Sequence, residues 1–245
     1  MDEKDKRKER YIHPLTGAIR EIAAIFTDMG FSIAGGPEIE DEWHNFDALN
    51  VPKDHPARDM QDTFWLPDGR VMRTHTSPVQ IRWMQEHEPP IRIISPGKCY
   101  RNEATDITHE AQFYQFECLV VDEDITLAHL KGTLSVFFEN FFGSDVDVRF
   151  RPGFFPFVEP GVEVDMRLMS NTAPKKLQNK WVEMGGAGMV HPNVLNNAGI
   201  DSQKYQGFAW GFGIERAAML KWGIDGVRLF HTGDLRFVHQ FKSSI

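Results

Sequence analysis

The chain has 245 residues, 41% hydrophobic and 12% aromatic, enough for one sizeable core and too few for two generous domains. Its formal net charge of -8 excludes an overall basic surface, so any grip on nucleic acid must come from a local patch or another polypeptide. No apolar run reaches the roughly 18 to 20 residues of a membrane span, and the charged first ten residues lack the apolar centre of a signal peptide; the expectation is a soluble, cytoplasmic protein with no membrane partner. Cys99 and Cys118 are the only cysteines, which argues against a disulfide framework and for two buried thiols, and no histidine stands at a zinc-ligand spacing from them.

Residues 1–12 read as a charged tail and residues 13–245 as one domain. Pro14 suits a first helical turn, and Leu15, Ile19, Ile22, Phe26 and Met29 then share one face before Gly30 stops the helix. FSIAGGPEIE reads as a strand broken by glycines and proline, and TFWLPDGRVMRT as two strands around a turn. The intervening NFDALNVPKDHPARDMQD is polar and proline-punctuated, too irregular for a core element and long enough for a loop over a site. In SPVQIRWMQEH, Ser77, Pro78 and Gln80 spell a capping box at a helix start.

Two aromatic and β-branched runs, IRIISPGKCYRN and QFYQFECLVVDE, flank a polar centre and predict a long antiparallel hairpin. A helix follows from Thr126, with Leu127, Leu130, Leu134, Phe137 and Phe141 as its apolar stripe and Gly143 at its end. VDVRFRP, VEVDMRL and KWVEMGG are short strands, and GFAWGFGIERAAMLKW passes from a glycine-rich strand into a helix. Helices separated by runs of hairpin strands indicate an antiparallel α+β domain, and no phosphate loop of the G-x-x-x-x-G-K-[ST] type is present.

Four places could carry chemistry. Arg101 and Glu103 sit at the hairpin turn, with Gln115 and Glu117 two apart on the return strand, beside Phe113; such a face is either an ordinary solvated salt-bridge surface or a polar ligand site. His75 precedes the capped helix, where a lone histidine is more often structural. Phe155 and Phe157 alternate on an extended segment and point to one side, to fill a core or to wall an aromatic pocket. Gly207, Gly211 and Gly213 allow close approach of a ligand to a strand that ends near Arg216, a weak signal alone.

Taken in order, NFDALNVPKDHPARDMQDTF, RTHTSPVQIR, YRNEATDITHEAQFYQFE, FRPGFFPFVEP, GMVHPNVL and FAWGFGIERAAMLKWGIDGVRLF resemble the class II aminoacyl-tRNA synthetases, and among them the alpha subunits of bacterial phenylalanyl-tRNA synthetase. The resemblance implies an antiparallel sheet flanked by helices and a ligase that forms phenylalanyl-adenylate from ATP with Mg²⁺, then passes phenylalanine to the 3′ end of tRNA. It assigns ATP to Arg101, Glu103, His109, Phe113 and Arg216, with Arg101 and Arg216 catalytic, and leaves the metal ligands open. It assigns the phenylalanine ammonium to Ser77, Gln115 and Glu117, its carboxylate end to His75 and Gln80, its ring to Phe155 and Phe157, and the pocket floor to Val158, Ala209 and Gly211. The implied partners are phenylalanine, tRNA and either a beta subunit or a second copy in a homodimer. Family alpha subunits usually begin with a tRNA-gripping helical hairpin, and here only MDEKDKRKER precedes the core. The alternatives are therefore a truncated or minimal form active only in adenylate formation, a class relative using another amino acid, and a non-catalytic synthetase-like regulatory subunit.

Overall fold

The computed structural model describes residues 11–59, 62–102, 110–143, 145–169 and 179–242. Helix α1 (Pro14–Asp28) ends where Gly30 enters the left-handed region at φ 85°, with Gly30 N–H donating to the Thr27 carbonyl and Phe31 N–H to that of Phe26; this paired closure satisfies carbonyls the helix leaves over. Strand β1 (Ser32–Ile33) follows, then β2 (Ile39–Glu40), which pairs with β3 (Val71–Met72) in a small separate sheet. The two strands expected around Pro67 reduce to β3 and a single bridge from Trp65 to Val71, too short to form a hairpin ladder.

After α2 (Ser77–Glu86), the expected long hairpin forms from β4 (Ile91–Tyr100) and β5 (Gln112–Asp122). Then come α3 (Leu127–Phe142), β6 (Val146–Pro152), β7 (Val158–Leu168), β8 (Val182–Val190), α4 (Pro192–Asn197), β9 (Gln206–Gly213) and α5 (Ile214–Trp222). The main sheet has seven strands in the order β1-β4-β5-β9-β8-β7-β6, parallel at β1–β4 and antiparallel elsewhere. This is the expected α+β architecture. Tyr11 bridges Lys242 and Ile12 N–H donates to the Phe241 carbonyl, so pairing among the described residues includes the two that precede His13.

Because side chains alternate along a strand, each face of the sheet has its own chemistry. On one face Phe116, Cys118 and Val120 of β5 and Phe208, Trp210 and Phe212 of β9 join α1, α3 and α5 in the larger core. Its aromatic centre is close-packed, with ring centroids 5.2 Å apart for Phe137–Trp210 and 5.5 Å for Phe116–Phe212. A smaller core lies on the other face, where Leu119 and Val121 meet α2, α4 and residues 46–51.

Among the described residues of 45–62, the chain differs from the expected irregular loop. Trp43–Asp47 forms a π-type turn, Pro56–Arg58 a 3₁₀ turn, and Phe46, Ala48, Leu49 and Val51 are buried. Arg58 organises this segment: it donates to Glu42 at 3.0 Å, to Asp47 at 2.7 Å and to the Val51 carbonyl, over the Phe46 ring. A polar, proline-marked sequence can pack into a core when one buried guanidinium takes up its carboxylates and carbonyls. Helix α4, which starts inside the GMVHPNVL segment, has only 6 residues and too little periodicity to be read beforehand.

Candidate active site

A cavity of about 440 Å³ opens on the face of the sheet opposite the aromatic core. It is floored by β5, β9 and β8, and the register places its parts. Gln115 lies opposite Gly213, Glu117 opposite Gly211 and Leu119 opposite Ala209, while Gly186 and Gly188 face Gly211 and Ala209 from β8. Glycine is required here for space: a Cβ on Gly211 would lie 2.6 Å from Glu117 Cγ, and one on Gly186 would lie 2.7 Å from the Phe155 ring. The trough is therefore a row of missing side chains beneath a polar wall and an aromatic wall.

Glu117 is the centre of the polar wall. It is buried at 4% exposure and accepts from Ser77 Oγ at 2.9 Å, Gln80 Nε2 at 2.5 Å and Gln115 Nε2 at 2.8 Å. Burial pushes its carboxyl up to about 7 in spite of the donors from Ser77 and Gln80. This corrects the capping-box reading of Ser77 and Gln80. The cap position belongs to Thr76, which makes no side-chain cap bond, and the two residues turn their side chains to Glu117 because a buried carboxylate needs donors more than a helix end does.

His75 also lines the cavity, its ring centroid 6.4 Å from that of Phe157, and its Nδ1 is buried without a hydrogen-bond partner among the described residues. Burial first, then the charges of Arg101 and Arg73, hold it down to about 3, so it is neutral at working pH. Phe155 and Phe157 stack at 5.9 Å and 23°, and both line the cavity. They do so from a tight turn closed by a Phe155–Val158 bridge, not from the extended segment expected, because the chain reverses at Pro156 to enter β7.

Farther along β5, Arg101 lies over the Phe113 ring at 4.9 Å and donates from Nε to the Thr74 carbonyl at 3.1 Å. Arg216 donates to the Glu183 carbonyl at 2.9 Å. Arg101, Phe113 and Arg216 line the same cavity as His75, Ser77, Gln80, Gln115 and Glu117, and as Phe155, Phe157, Val158, Ala209 and Gly211. Glu103 and His109 lie outside the described residues.

A separate cluster, Glu40, Asp41 and His44, holds the kind of groups that bind metal, but Arg82 takes Glu40 through two bonds at 3.0 and 2.5 Å, and none of the three lines the cavity. No helix among the described residues is long and apolar enough to cross a membrane.

Residues 2–241 match the family model for the tRNA synthetases class II core domain (F). The phenylalanine–tRNA ligase alpha subunit of Dehalococcoides mccartyi is 54% identical over 243 residues, covering 94% of this chain and 69% of that protein. The alpha subunit of Thermosynechococcus vestitus is 53% identical over 235 residues, 96% of this chain and 67% of that protein. The chain belongs to the class II phenylalanine–tRNA ligase alpha subunits. It is thus a ligase of the aminoacyl-tRNA synthetase class, as its sequence motifs imply. In structure it is similar to the pyrrolysyl-tRNA synthetase of Desulfitobacterium hafniense, with a TM-score of 0.71 at 19% identity over 98% of this chain and 80% of that one; this likeness shows the fold.

Several parts of the ligase's cavity escaped the sequence reading. Leu49 and Val194 reach it from the segment taken for a loop and from the unread α4. Glu215 lies beside the expected Arg216, buried at 4% exposure, with Tyr114 N–H donating to its carboxylate at 2.8 and 3.0 Å; burial pushes it up to about 7. The adjacent Glu-Arg pair in GFGIER was the available signal.

Proposed function

We propose that this cavity is where phenylalanine and ATP react, and that β5 sorts the two substrates along its length. Phe113, Gln115, Glu117 and Leu119 follow one another on one face, about 20 Å in all at roughly 3.3 Å per residue. Phe113 takes the adenine, Gln115 and Glu117 take the ammonium, and the ring lies above Leu119 and its neighbour Ala209. Ser77 and Gln80 act through Glu117, which needs its negative charge to hold an ammonium ion. Phe155 and Phe157 clasp the ring by aromatic contact, over a floor of Val158, Ala209 and Gly211. Such an apolar floor rejects an added hydroxyl only modestly.

Arg101 stands between the two ends, next to Phe113 and close enough to His75 to depress its basicity. In the reaction the substrate carboxylate attacks the α-phosphorus of ATP in line and pyrophosphate leaves, so no protein nucleophile is needed. The guanidiniums of Arg101 and Arg216 meet the charge that gathers on phosphoryl oxygens. Neutral His75 presents an acceptor or donor nitrogen without competing for the carboxylate as a cation. Glu110 and Glu183 offer carboxylate oxygens on the cavity wall, the donor type Mg²⁺ takes, and the ion would neutralise the triphosphate there. Glu103 and His109 keep their sequence-based roles toward ATP. A ribose hydroxyl of the tRNA 3′ end then attacks the acyl carbon of the adenylate, the acyl–phosphate bond breaks and AMP leaves.

The observation that carries this reading is the shared cavity: two arginines suited to phosphate and an aromatic slot suited to phenylalanine open onto one glycine-lined floor. The relatives' designation as alpha subunits favours a beta subunit as partner over a homodimer, and an acidic chain of net charge -8 fits a tRNA grip supplied mostly by that partner. The same reading places the chain in the cytoplasm. Phenylalanine-dependent exchange between ATP and pyrophosphate, measured with a beta subunit present, tests the reading; exchange with another amino acid, or none, would replace it.

A further inference from the structure

The geometry points to Asn50 as a positioning residue that sets the width of the slot for the phenylalanine ring, an inference that rests on the reading of the cavity given above. Three separate chain segments wall the ring end: Leu49 from residues 41–59, Phe155 and Phe157 from the turn before β7, and Val194 from α4. One amide joins all three. Asn50 Nδ2 donates to the Pro156 carbonyl at 2.7 Å, between the two phenylalanines, and Asn50 Oδ1 accepts from Asn193 Nδ2 at 3.0 Å, one residue before Val194.

The backbone places that amide. Asn50 has φ 59°, in the left-handed region, at the end of the Trp43–Asp47 turn. Its N–H donates to the Asp47 carbonyl and the Val51 N–H to that of Phe46, the same closure that ends α1 at Gly30. Glycine would serve the backbone alone, but asparagine tolerates this conformation and brings a donor and an acceptor. The seam is completed by His191 N–H to the Phe157 carbonyl at 2.9 Å and by Asn197 Nδ2 to the carbonyls of Asp47 and Ala48.

Asn50 is separable from the fold of its own segment, because Arg58 anchors that segment independently through Glu42, Asp47 and the Val51 carbonyl. Loss of the amide therefore loosens the aromatic turn against Leu49, while Asn197 still holds α4 to Asp47 and Ala48 and the segment stays folded. The test compares Asn50→Gly, which keeps the backbone and removes the amide, with Asn50→Asp, which keeps the acceptor and sets an oxygen against the Pro156 carbonyl. Both are assembled with the beta subunit and assayed by phenylalanine-dependent ATP–pyrophosphate exchange. The expected result is a KM for phenylalanine raised about 3- to 10-fold, the effect of one or two hydrogen bonds, with a similar loss of preference for phenylalanine over tyrosine. The KM for ATP should stay within about twofold. Wild-type values for phenylalanine in both variants, or an equal rise in both KM values together with a lowered melting temperature, would overturn the inference while leaving the cavity reading intact. Absence of exchange by the wild-type assembly would instead remove the cavity reading, and this inference with it.

Discussion

The two faces of β5 and β9 share a backbone and differ in almost everything else. Toward α1, α3 and α5 the strands present Phe116, Cys118, Phe208, Trp210 and Phe212, close-packed and buried. Toward the cavity they present Gln115, Glu117, Ala209, Gly211 and Gly213. The aromatic face makes the sheet rigid, and rigidity lets the opposite face keep an open trough with a buried carboxylate in it, an arrangement that contributes nothing to packing and costs free energy in desolvation. Stability and chemistry are thus divided between faces of the same strands, and substitutions should separate them.

The sharpest break is expected at Phe137. Phe137→Ala removes a fully buried ring from the aromatic face and should lower stability by about 3–5 kcal/mol; in the folded fraction the ratio of KM values for phenylalanine and ATP should stay as in wild type, which denaturant melts and exchange kinetics would check together. Arg101→Ala touches only the cavity face, and losing one preorganised donor should reduce exchange by roughly 10²–10³-fold with the melting temperature little changed.

Gly211→Ala tests the trough itself. The new methyl meets Glu117 Cγ at 2.6 Å, so the carboxylate must shift, and the KM for phenylalanine should rise on the order of 10-fold while that for ATP moves less.

A smaller effect concerns pH. Glu117 stands at about 7 against an ordinary 4.5. Its raised value means that its contribution to stability is present at low pH and is lost as pH rises through about 7, whereas ammonium binding needs the ionised form and runs the other way. The KM for phenylalanine should therefore rise about 5- to 10-fold from pH 8 to pH 6. His75, held to about 3, plays no part in this range. Glu215 also stands at about 7, but it accepts from the Tyr114 amide, and its titration should show in the KM for ATP. Comparable in size is Ala209→Gly, which removes one methyl from the floor and should admit para-substituted phenylalanines with a preference changed by about 10-fold, read from competing exchange rates.

Much of this was legible in advance, and the reasons are local. The alternation of QFYQFECLVVD, the stripes of the helices that became α1 and α3 and the turn chemistry between strands are set by near neighbours, so the hairpin and both helices were readable. Ser77 and Gln80 were misassigned because a capping box and a pair of donors to Glu117 use the same residue types, and only a partner 40 residues away decides between them. Leu49 and Asn50 were invisible for a related reason: their segment looks polar, and what packs it is the guanidinium of Arg58 within it and the amide of Asn193 from far along the chain, while Val194 sits on a helix of 6 residues, too short to show a period. The resemblance supplied roles for Phe155 and Phe157, but their turn had to be seen.

The central claim is that β5 holds adenine at one end and the phenylalanine ring at the other, on its glycine-lined side. A crystal structure with a non-hydrolysable phenylalanyl-adenylate analogue addresses it directly. The account predicts the purine on Phe113, the ammonium at Glu117 and the ring between Phe157 and Ala209. An analogue bound with its ring away from Phe155 and Phe157, or with its phosphate mimic out of reach of Arg101, would contradict it.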